Sequence, residues 1–194
     1  MGGGNISSRS RGAAMSVIDL SRFCLKTRLD LQAPFSRAGY TWATDGHILL
    51  RVPLRADVPE IDGAPHAERI FAEDVGHFSP VSPFELPDPE TVECYACDGR
   101  GTEHDCPDCS CKCELCGGNG KIEVLDKYVS IGKRFLGLRY AALIMTLPGL
   151  EVEIPSPDAD RMHFRFDGGD GILMLIRAGS KGDIVADLLK GVLS

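Results

Sequence analysis

The stretch YTWATDGHILLRV, residues 40–52, sets the fold expected of this chain. Its first five residues, Tyr40–Thr44, include the aromatic and β-branched types that favour strands. Asp45-Gly46 is a pair typical of a hairpin turn, and residues 47–52 are again apolar and strand-forming. We therefore predict two antiparallel strands joined at Asp45-Gly46.

Helices are predicted on both sides of this hairpin. The first begins near Ser21 and carries three apolar residues, Phe23, Leu25 and Leu29. The second spans 130–147, where apolar residues recur at three- and four-residue steps, and Pro148-Gly149 ends it. The further elements are strands at 122–125, 150–154, 162–166 and 172–176 and a last helix at 184–193. The order helix-then-strands thus occurs twice, and we predict an α+β fold of antiparallel strands.

The composition is that of a folded protein, since 43% of the 194 residues are apolar and 25% are charged. The net charge of −7 excludes a uniformly basic nucleic-acid coat. Residues 1–14 are rich in Gly, Ser and Arg and are predicted to be a flexible tail rather than a secretory leader. Apolar stretches such as residues 141–150 are too short to cross a bilayer, so we expect no membrane association.

Seven of the eight cysteines lie between positions 94 and 116. A secreted protein spreads its disulfides over the fold, whereas this clustering favours metal binding in a reducing compartment, the cytoplasm. Two segments, residues 94–101 and 113–120, share the pattern CxxCxGxG, here called a knuckle. Two residues between cysteines let both sulfurs face one ion, and the glycines permit the tight turn that follows. The cysteines predicted to hold one structural zinc are Cys94, Cys97, Cys113 and Cys116.

A third group of cysteines, Cys106, Cys109 and Cys111, lies between the two knuckles. Three sulfurs are one ligand short of a second closed site. His104 is the nearest candidate for the fourth ligand, although an exposed loop histidine fits the sequence equally well. We predict one zinc and leave a second site open.

The cysteine cluster resembles the cysteine-rich region of DnaJ-type co-chaperones, in which four CxxCxGxG repeats bind two zincs. Here two repeats are complete and one is partial, and the resemblance covers only residues 94–120. The His-Pro-Asp triplet of a J-domain does not occur in the chain. The resemblance therefore implies the zinc fold but not the co-chaperone function.

The residues YTWATDGHIL, 40–49, resemble the ATDGHRLA strand-turn-strand of bacterial sliding clamps, the β subunits of replicative polymerases. In such a domain a helix precedes the hairpin, and a connector, a strand, a second helix and a meander follow it. The resemblance implies one clamp-like domain, a duplicated unit of helix plus antiparallel strands, over residues 15–87 and 121–194. The zinc-binding insert then occupies 88–120. A plain hairpin turn at Asp45-Gly46 is the alternative interpretation.

A clamp-like domain would turn its helices toward DNA. Both predicted helix regions are locally basic, which suits phosphate contacts, although a solvated helix face has the same pattern. The candidate DNA-binding residues are Arg22, Lys26, Arg28, Lys133, Arg134 and Arg139. Bacterial clamp subunits contain three such domains, so a ring built from this chain would be a homo-oligomer of about six copies. The alternative to a ring is that the chain is an isolated clamp-like domain with another function, for example in a phage.

The motifs that mark common enzymes do not occur in the sequence. It has no Walker loop, no GxGxxG after a strand, no GxSxG and no HExxH, and Cys24 suits a core thiol better than a nucleophile. The sequence therefore predicts a non-enzymatic, zinc-containing, clamp-like accessory protein associated with duplex DNA or replication. The alternative is a zinc-knuckle module that binds proteins, on a clamp-like scaffold that does not bind DNA.

Overall fold

Antiparallel strands make up most of the structure, a computed structural model that describes residues 18–25, 31–61, 63–71, 76–82, 85–87, 90–102, 111–123, 127–176 and 183–191. The strands are β1 (Phe35–Arg37), β2 (Tyr40–Thr44), β3 (Ile48–Pro53), β4 (Phe78–Pro80), β5 (Thr91–Glu93), β6 (Lys121–Glu123), β7 (Lys127–Ile131), β8 (Arg134–Gly137), β9 (Glu151–Glu153), β10 (Arg161–Phe166), β11 (Gly169–Met174) and β12 (Asp183–Asp187). The described residues contain one α-helix, α1 (Leu138–Ile144), and 3₁₀ turns at Leu20–Phe23, Ala67–Arg69 and Leu188–Gly191. Mostly antiparallel sheet with one helix agrees with the predicted α+β class.

The largest sheet has the strand order β1-β2-β3-β11-β10-β9-β4. The predicted hairpin is confirmed as β2 and β3, and the predicted meander near the C-terminus is confirmed as β9, β10 and β11. β3 pairs antiparallel with β11 and so joins the two meanders. A second sheet has the order β12-β7-β8, and β5 and β6 form a separate hairpin.

Both faces of the largest sheet are covered. Side chains alternate between the faces of a strand, so Ala43 packs in one cluster with Phe23 and Ala141, whereas its neighbour Trp42 packs in another with Ala67. The 3₁₀ turn Leu20–Phe23, α1 and the second sheet therefore lie on the first face, and residues of the connector after β3 cover the second. None of the helices within the described ranges is long and apolar enough to span a membrane.

Residues 130–137 form strands rather than the first half of the predicted helix. Gly132 has φ +60 in the turn between β7 and β8, a conformation that glycine adopts at little cost. The burial of Val129 and Ile131 follows the two-residue period of a strand. The helix prediction was wrong here because apolar residues spaced for one helix face also fitted two strands and a short helix.

Two further helix predictions were wrong. Residues 184–187, expected to begin the last helix, belong to β12, which pairs parallel with β7 and is followed by a 3₁₀ turn. The β-branched pair Ile184-Val185 suits a strand once an edge is available to pair with. The first helix is a 3₁₀ turn that ends at Phe23, because Cys24 is extended. Leu25 lies beyond it, and residues 26–30 lie outside the described residues.

The buried carboxylate of Asp45 links the hairpin turn to α1. Its Oδ1 accepts hydrogen bonds from the N–H groups of His47 and Ile48 at 2.9 and 3.0 Å. Its Oδ2 accepts from Arg139 Nη2 at 3.0 Å and from the Tyr140 hydroxyl at 2.9 Å. Burial and the Asp45 carboxylate raise the pKa of Tyr140, so the phenol keeps the proton that it donates. Four donors thus converge on one residue that is 7% exposed.

Asp45→Asn should lower the free energy of unfolding by about 2–3 kcal/mol, because the amide keeps one acceptor oxygen and leaves buried donors without a partner. Urea denaturation followed by circular dichroism measures this. Asp158→Asn, in an exposed turn, is the matched control and should change stability by less than about 0.5 kcal/mol. Equal effects of the two substitutions would show that Asp45 does not hold the turn to α1.

Candidate metal centre

The two knuckles bring four sulfurs together. Cys94 Sγ lies 3.8 Å from Cys113 Sγ, and Cys97 Sγ lies 3.8 Å from Cys116 Sγ. All four sulfurs lie within 4.8 Å of one another. A tetrahedral ion with metal–sulfur bonds of about 2.3 Å separates its ligand sulfurs by about 3.8 Å. The sulfurs therefore fit around one tetrahedral ion.

The four cysteines are shielded from water. Cys94 and Cys97 are 0% exposed, Cys113 is 2% exposed and Cys116 is 7% exposed. They form a small cluster of their own, against which Ile122 of β6 packs. With all four corners of a tetrahedron supplied by thiols, such a site leaves no position for a substrate or a reacting water.

Backbone N–H groups point at two of the sulfurs. Gly101 N–H donates to Cys97 Sγ at 3.3 Å, and Gly120 N–H donates to Cys116 Sγ at 3.3 Å. The tight turn at the glycines of each knuckle thus lets backbone amides approach the sulfurs. These contacts stabilise the thiolate form, which is the form that binds metals.

The sulfurs influence each other's protonation. Burial and the neighbouring cysteines raise the pKa of Cys97 to about 11. Burial alone would raise the pKa of Cys116 as well, but the N–H groups of Gly118 and Gly120, together with hydrogen bonds from Cys113 and Cys97, outweigh it and lower that pKa to about 7. Four thiolates this close repel one another, so a cation between them is what would allow all four to be deprotonated together.

The knuckles are locked to each other by reciprocal backbone contacts. Cys94 N–H donates to Gly120 O at 2.9 Å, and Cys113 N–H donates to Gly101 O at 2.9 Å. The two hydrogen bonds are equivalent, because each joins the first cysteine of one knuckle to the last glycine of the other. Each sulfur pair likewise joins two cysteines that are 19 residues apart. The sequence shows this 19-residue offset and predicts that both knuckles face one ion, but it does not predict the reciprocal backbone hydrogen bonds.

Two glycines have no room for a side chain at this junction. A Cβ on Gly101, at φ +78, would lie 2.4 Å from Gly118 O, and one on Gly120, at φ +69, would lie 2.1 Å from Gly99 O. Both positions therefore need glycine for space as well as for conformation. The close approach also places Gly101 and Gly120 where their N–H groups reach the sulfurs.

The hairpin of β5 and β6 carries the knuckles. Cys94 directly follows β5, and Gly120 directly precedes β6. At the other end of the module, Thr102 and Lys112 form an antiparallel bridge. Near its base, Lys127 Nζ of β7 lies 2.5 Å from Glu90 Oε2. The candidate metal centre is therefore carried by a two-stranded hairpin that is separate from the two larger sheets.

Among the candidates for a second metal site, Cys111 lies within the described part of the chain. Cys111 is exposed and does not belong to the four-sulfur group. His104, Cys106 and Cys109 lie outside the described residues.

The candidate DNA-binding residues have different surroundings. Arg22 and Lys133 are exposed, in the first 3₁₀ turn and in the turn before β8. Arg139 is also exposed but pairs with Asp45. Arg134 is only 5% exposed, and its Nη2 lies 3.5 Å from Asp160 Oδ1. The expectation of a basic helix surface is corrected at Arg134, because a strand position turns that side chain inward; Lys26 and Arg28 lie outside the described part of the chain.

Comparisons with known proteins gave no match. No family model, no curated protein and no solved structure matches the chain.

Gly101→Ala and Gly120→Ala should each weaken metal binding about 10- to 100-fold, because the methyl group forces the knuckles apart and moves the N–H donors from the sulfurs. A titration with Co²⁺, read by its thiolate charge-transfer absorption, measures the affinity. Gly117→Ala is the matched control, since Gly117 has a similar φ of +62 but nothing within 4 Å of a Cβ. Equal losses in all three variants would assign the effect to backbone strain rather than to the knuckle contact.

Proposed function

We propose that the four cysteines bind one zinc ion and that this zinc is structural. The observation that carries the proposal is the pair of 3.8 Å sulfur distances within a buried set of four cysteines. Thiolate sulfurs in a tetrahedral arrangement favour zinc among the common ions of a reducing compartment. Unpaired thiols also suit the cytoplasm, where disulfides are rare.

The need for a metal follows from how little else holds the insert. Strands β5 and β6 have three residues each, and the side chains of β5 are exposed. A two-stranded hairpin of this size is marginal by itself in water. A zinc bound by both knuckles would hold them together. It would supply the folding free energy that an apolar core supplies in the large sheet.

Removal of zinc should unfold the insert and leave the large sheet intact. Hydrogen exchange measured by mass spectrometry should rise in residues 90–102 and 111–123 after a chelator removes the metal, because the knuckles lose the ion that joins them. Residues 40–53 and 161–174 serve as the internal control and should keep their protection. Unchanged exchange in the insert after verified metal loss would contradict the structural role.

We also propose that the scaffold is a non-enzymatic, clamp-like accessory protein that associates with duplex DNA. The support is the order of elements: a helical turn, the β2–β3 hairpin, a connector, strands β7 and β8, helix α1 and the meander β9–β11. The two meanders meet through β3 and β11, as a duplicated unit would. A ring would then be assembled from several copies of the chain.

The exposed cations relevant to DNA lie on the helical face of the sheet. The 3₁₀ turn with Arg22 and helix α1 both pack on this face, against the core cluster that contains Ala43. Both also lie beside the Asp45 turn, because Asp45 contacts Arg139 and acts electrostatically on Cys24 at the end of the 3₁₀ turn. Arg22 and Lys133 are the cations in this region that best suit phosphate contacts.

A protein-interaction module is the second candidate function, favoured by apolar side chains exposed on the knuckles. Tyr95 is 76% exposed, and Leu115 is 49% exposed. Both lie between the two cysteines of a knuckle, so the metal that orders the knuckles would also fix these side chains. In this alternative the insert binds a protein partner, and the scaffold need not touch DNA.

The double substitution Arg22→Glu/Lys133→Glu should weaken duplex DNA binding and lower the slope of log affinity against log salt by about 2, because two phosphate contacts are lost. Fluorescence anisotropy with a labelled duplex at several salt concentrations measures both quantities. Arg69→Glu is the control, since Arg69 is an exposed cation in the segment that covers the opposite face.

Two results would contradict the DNA proposal. One is the absence of duplex binding at low salt, and the other is equal behaviour of the double variant and Arg69→Glu. Either would leave the interaction module as the better function, and Tyr95→Ala, which leaves the ligands in place, would then test it.

A further inference from the structure

We propose that the four-cysteine site is also an oxidation site, at which a hydroperoxide converts the cysteines into two disulfides, Cys94–Cys113 and Cys97–Cys116. Each bond would join one knuckle to the other. The release of metal in this reaction rests on the zinc site proposed above, whereas the pairing of the cysteines rests on the positions of the sulfurs alone.

The sulfur positions already approach this pairing. The two pairs across the knuckles are each 3.8 Å apart. A disulfide bond of about 2.05 Å requires each pair of sulfurs to approach by about 1.8 Å, and we expect rotation of the cysteine side chains to supply this movement while the backbone contacts remain. Those contacts, from Cys94 N–H to Gly120 O and from Cys113 N–H to Gly101 O, keep the partner backbones adjacent.

Hydrogen bonds orient one of these pairs. Gly101 N–H holds Cys97 Sγ, and Gly120 N–H holds Cys116 Sγ, each at 3.3 Å. Both donors belong to the rigid junction between the knuckles, where neither glycine has room for a Cβ. The second sulfur of each knuckle is therefore held facing its counterpart across the site.

The reaction should begin at Cys116, which at 7% is the most exposed of the four cysteine residues. Its thiolate attacks one oxygen of the hydroperoxide, which breaks the O–O bond, gives a sulfenic acid and, for hydrogen peroxide, releases hydroxide. The Cys97 thiolate then attacks the sulfenic sulfur, forms the Cys97–Cys116 bond and displaces a second hydroxide. Both hydroxides take protons from solvent, so two thiolates lose two electrons and one peroxide becomes two waters.

Loss of two ligands weakens the hold on the metal, and a second peroxide then oxidises Cys94 and Cys113 in the same way. Both disulfides take over the metal's task of joining the knuckles. Oxidation should therefore release zinc and keep the insert closed, whereas chelation releases zinc and lets the insert open. The site would then respond to oxidant by releasing its metal while the two knuckles remain joined.

The experiment uses the full chain, loaded with zinc, beside the same chain carrying Cys111→Ser, which removes the exposed thiol outside the site. Each protein is treated with two equivalents of hydrogen peroxide, and released zinc is measured with a coloured chelator. Free thiols are then blocked and the protein is cut with trypsin. Cleavage after Arg100 and Lys112 separates the first knuckle from the second, so that only cross-knuckle disulfides join peptide 70–100 to peptide 113–121.

We expect both proteins to release about one zinc per chain and to yield the joined peptide, with fragmentation that assigns Cys94 to Cys113 and Cys97 to Cys116. Hydrogen exchange in residues 90–102 and 111–123 should stay below that of the chelated protein. Unjoined peptides with a disulfide inside each knuckle would overturn the inference. So would cysteines that stay reduced, a joined peptide that requires Cys111, or bonds from the knuckles to peptide 101–112.

The metal count separates this inference from the zinc proposal. A joined peptide from a protein that never bound zinc would refute the zinc site and uphold the pairing. Bound zinc followed by disulfides within each knuckle would uphold the zinc site and refute the pairing.

Discussion

The antiparallel pairing of β3 with β11 is the contact on which the rest of the main sheet depends. It joins two meanders that are far apart in the sequence, and it brings Arg51 opposite Asp170. Arg51 donates to both carboxylate oxygens of Asp170, at 2.8 and 2.9 Å, and its guanidinium lies 4.2 Å from the centre of the Phe71 ring. The charge pair joins residues that face each other only in this register, and Phe71 of the connector packs against it.

The large sheet and the second sheet hold the two ends of the cysteine-rich segment, through β4 and β7. Closing a long loop between two strands that are already held in place costs only a modest further entropy. The segment leaves after β4 and returns at β7, and between them it builds its own hairpin. With no apolar core, that hairpin depends on close glycine contacts and on four sulfurs around one point. The two parts of the molecule thus use different physical means of stabilisation: burial in the sheet and, under our proposal, metal binding in the insert.

The sequence predicted the parts of the structure whose residues allow one interpretation. Asp45-Gly46 is typical of a hairpin turn, and the paired CxxCxGxG segments predict four sulfurs around one point. Both the hairpin and the four-sulfur group are confirmed. Residues 130–137 and 184–187 allowed two interpretations, because apolar spacing does not show which strand edges are free for pairing. Contacts between distant residues, such as Arg139 with Asp45 or Gly120 with Gly99, depend on the fold and leave no local pattern.

The most direct test of the central claim, a structural zinc held by two interlocked knuckles, is a crystal structure of the protein with an anomalous map at the zinc edge. The account predicts a single strong peak at the centre of the sulfurs of Cys94, Cys97, Cys113 and Cys116, with four zinc–sulfur distances of about 2.3 Å. A peak coordinated by other residues, or an ordered insert with no peak among these four sulfurs, would contradict it.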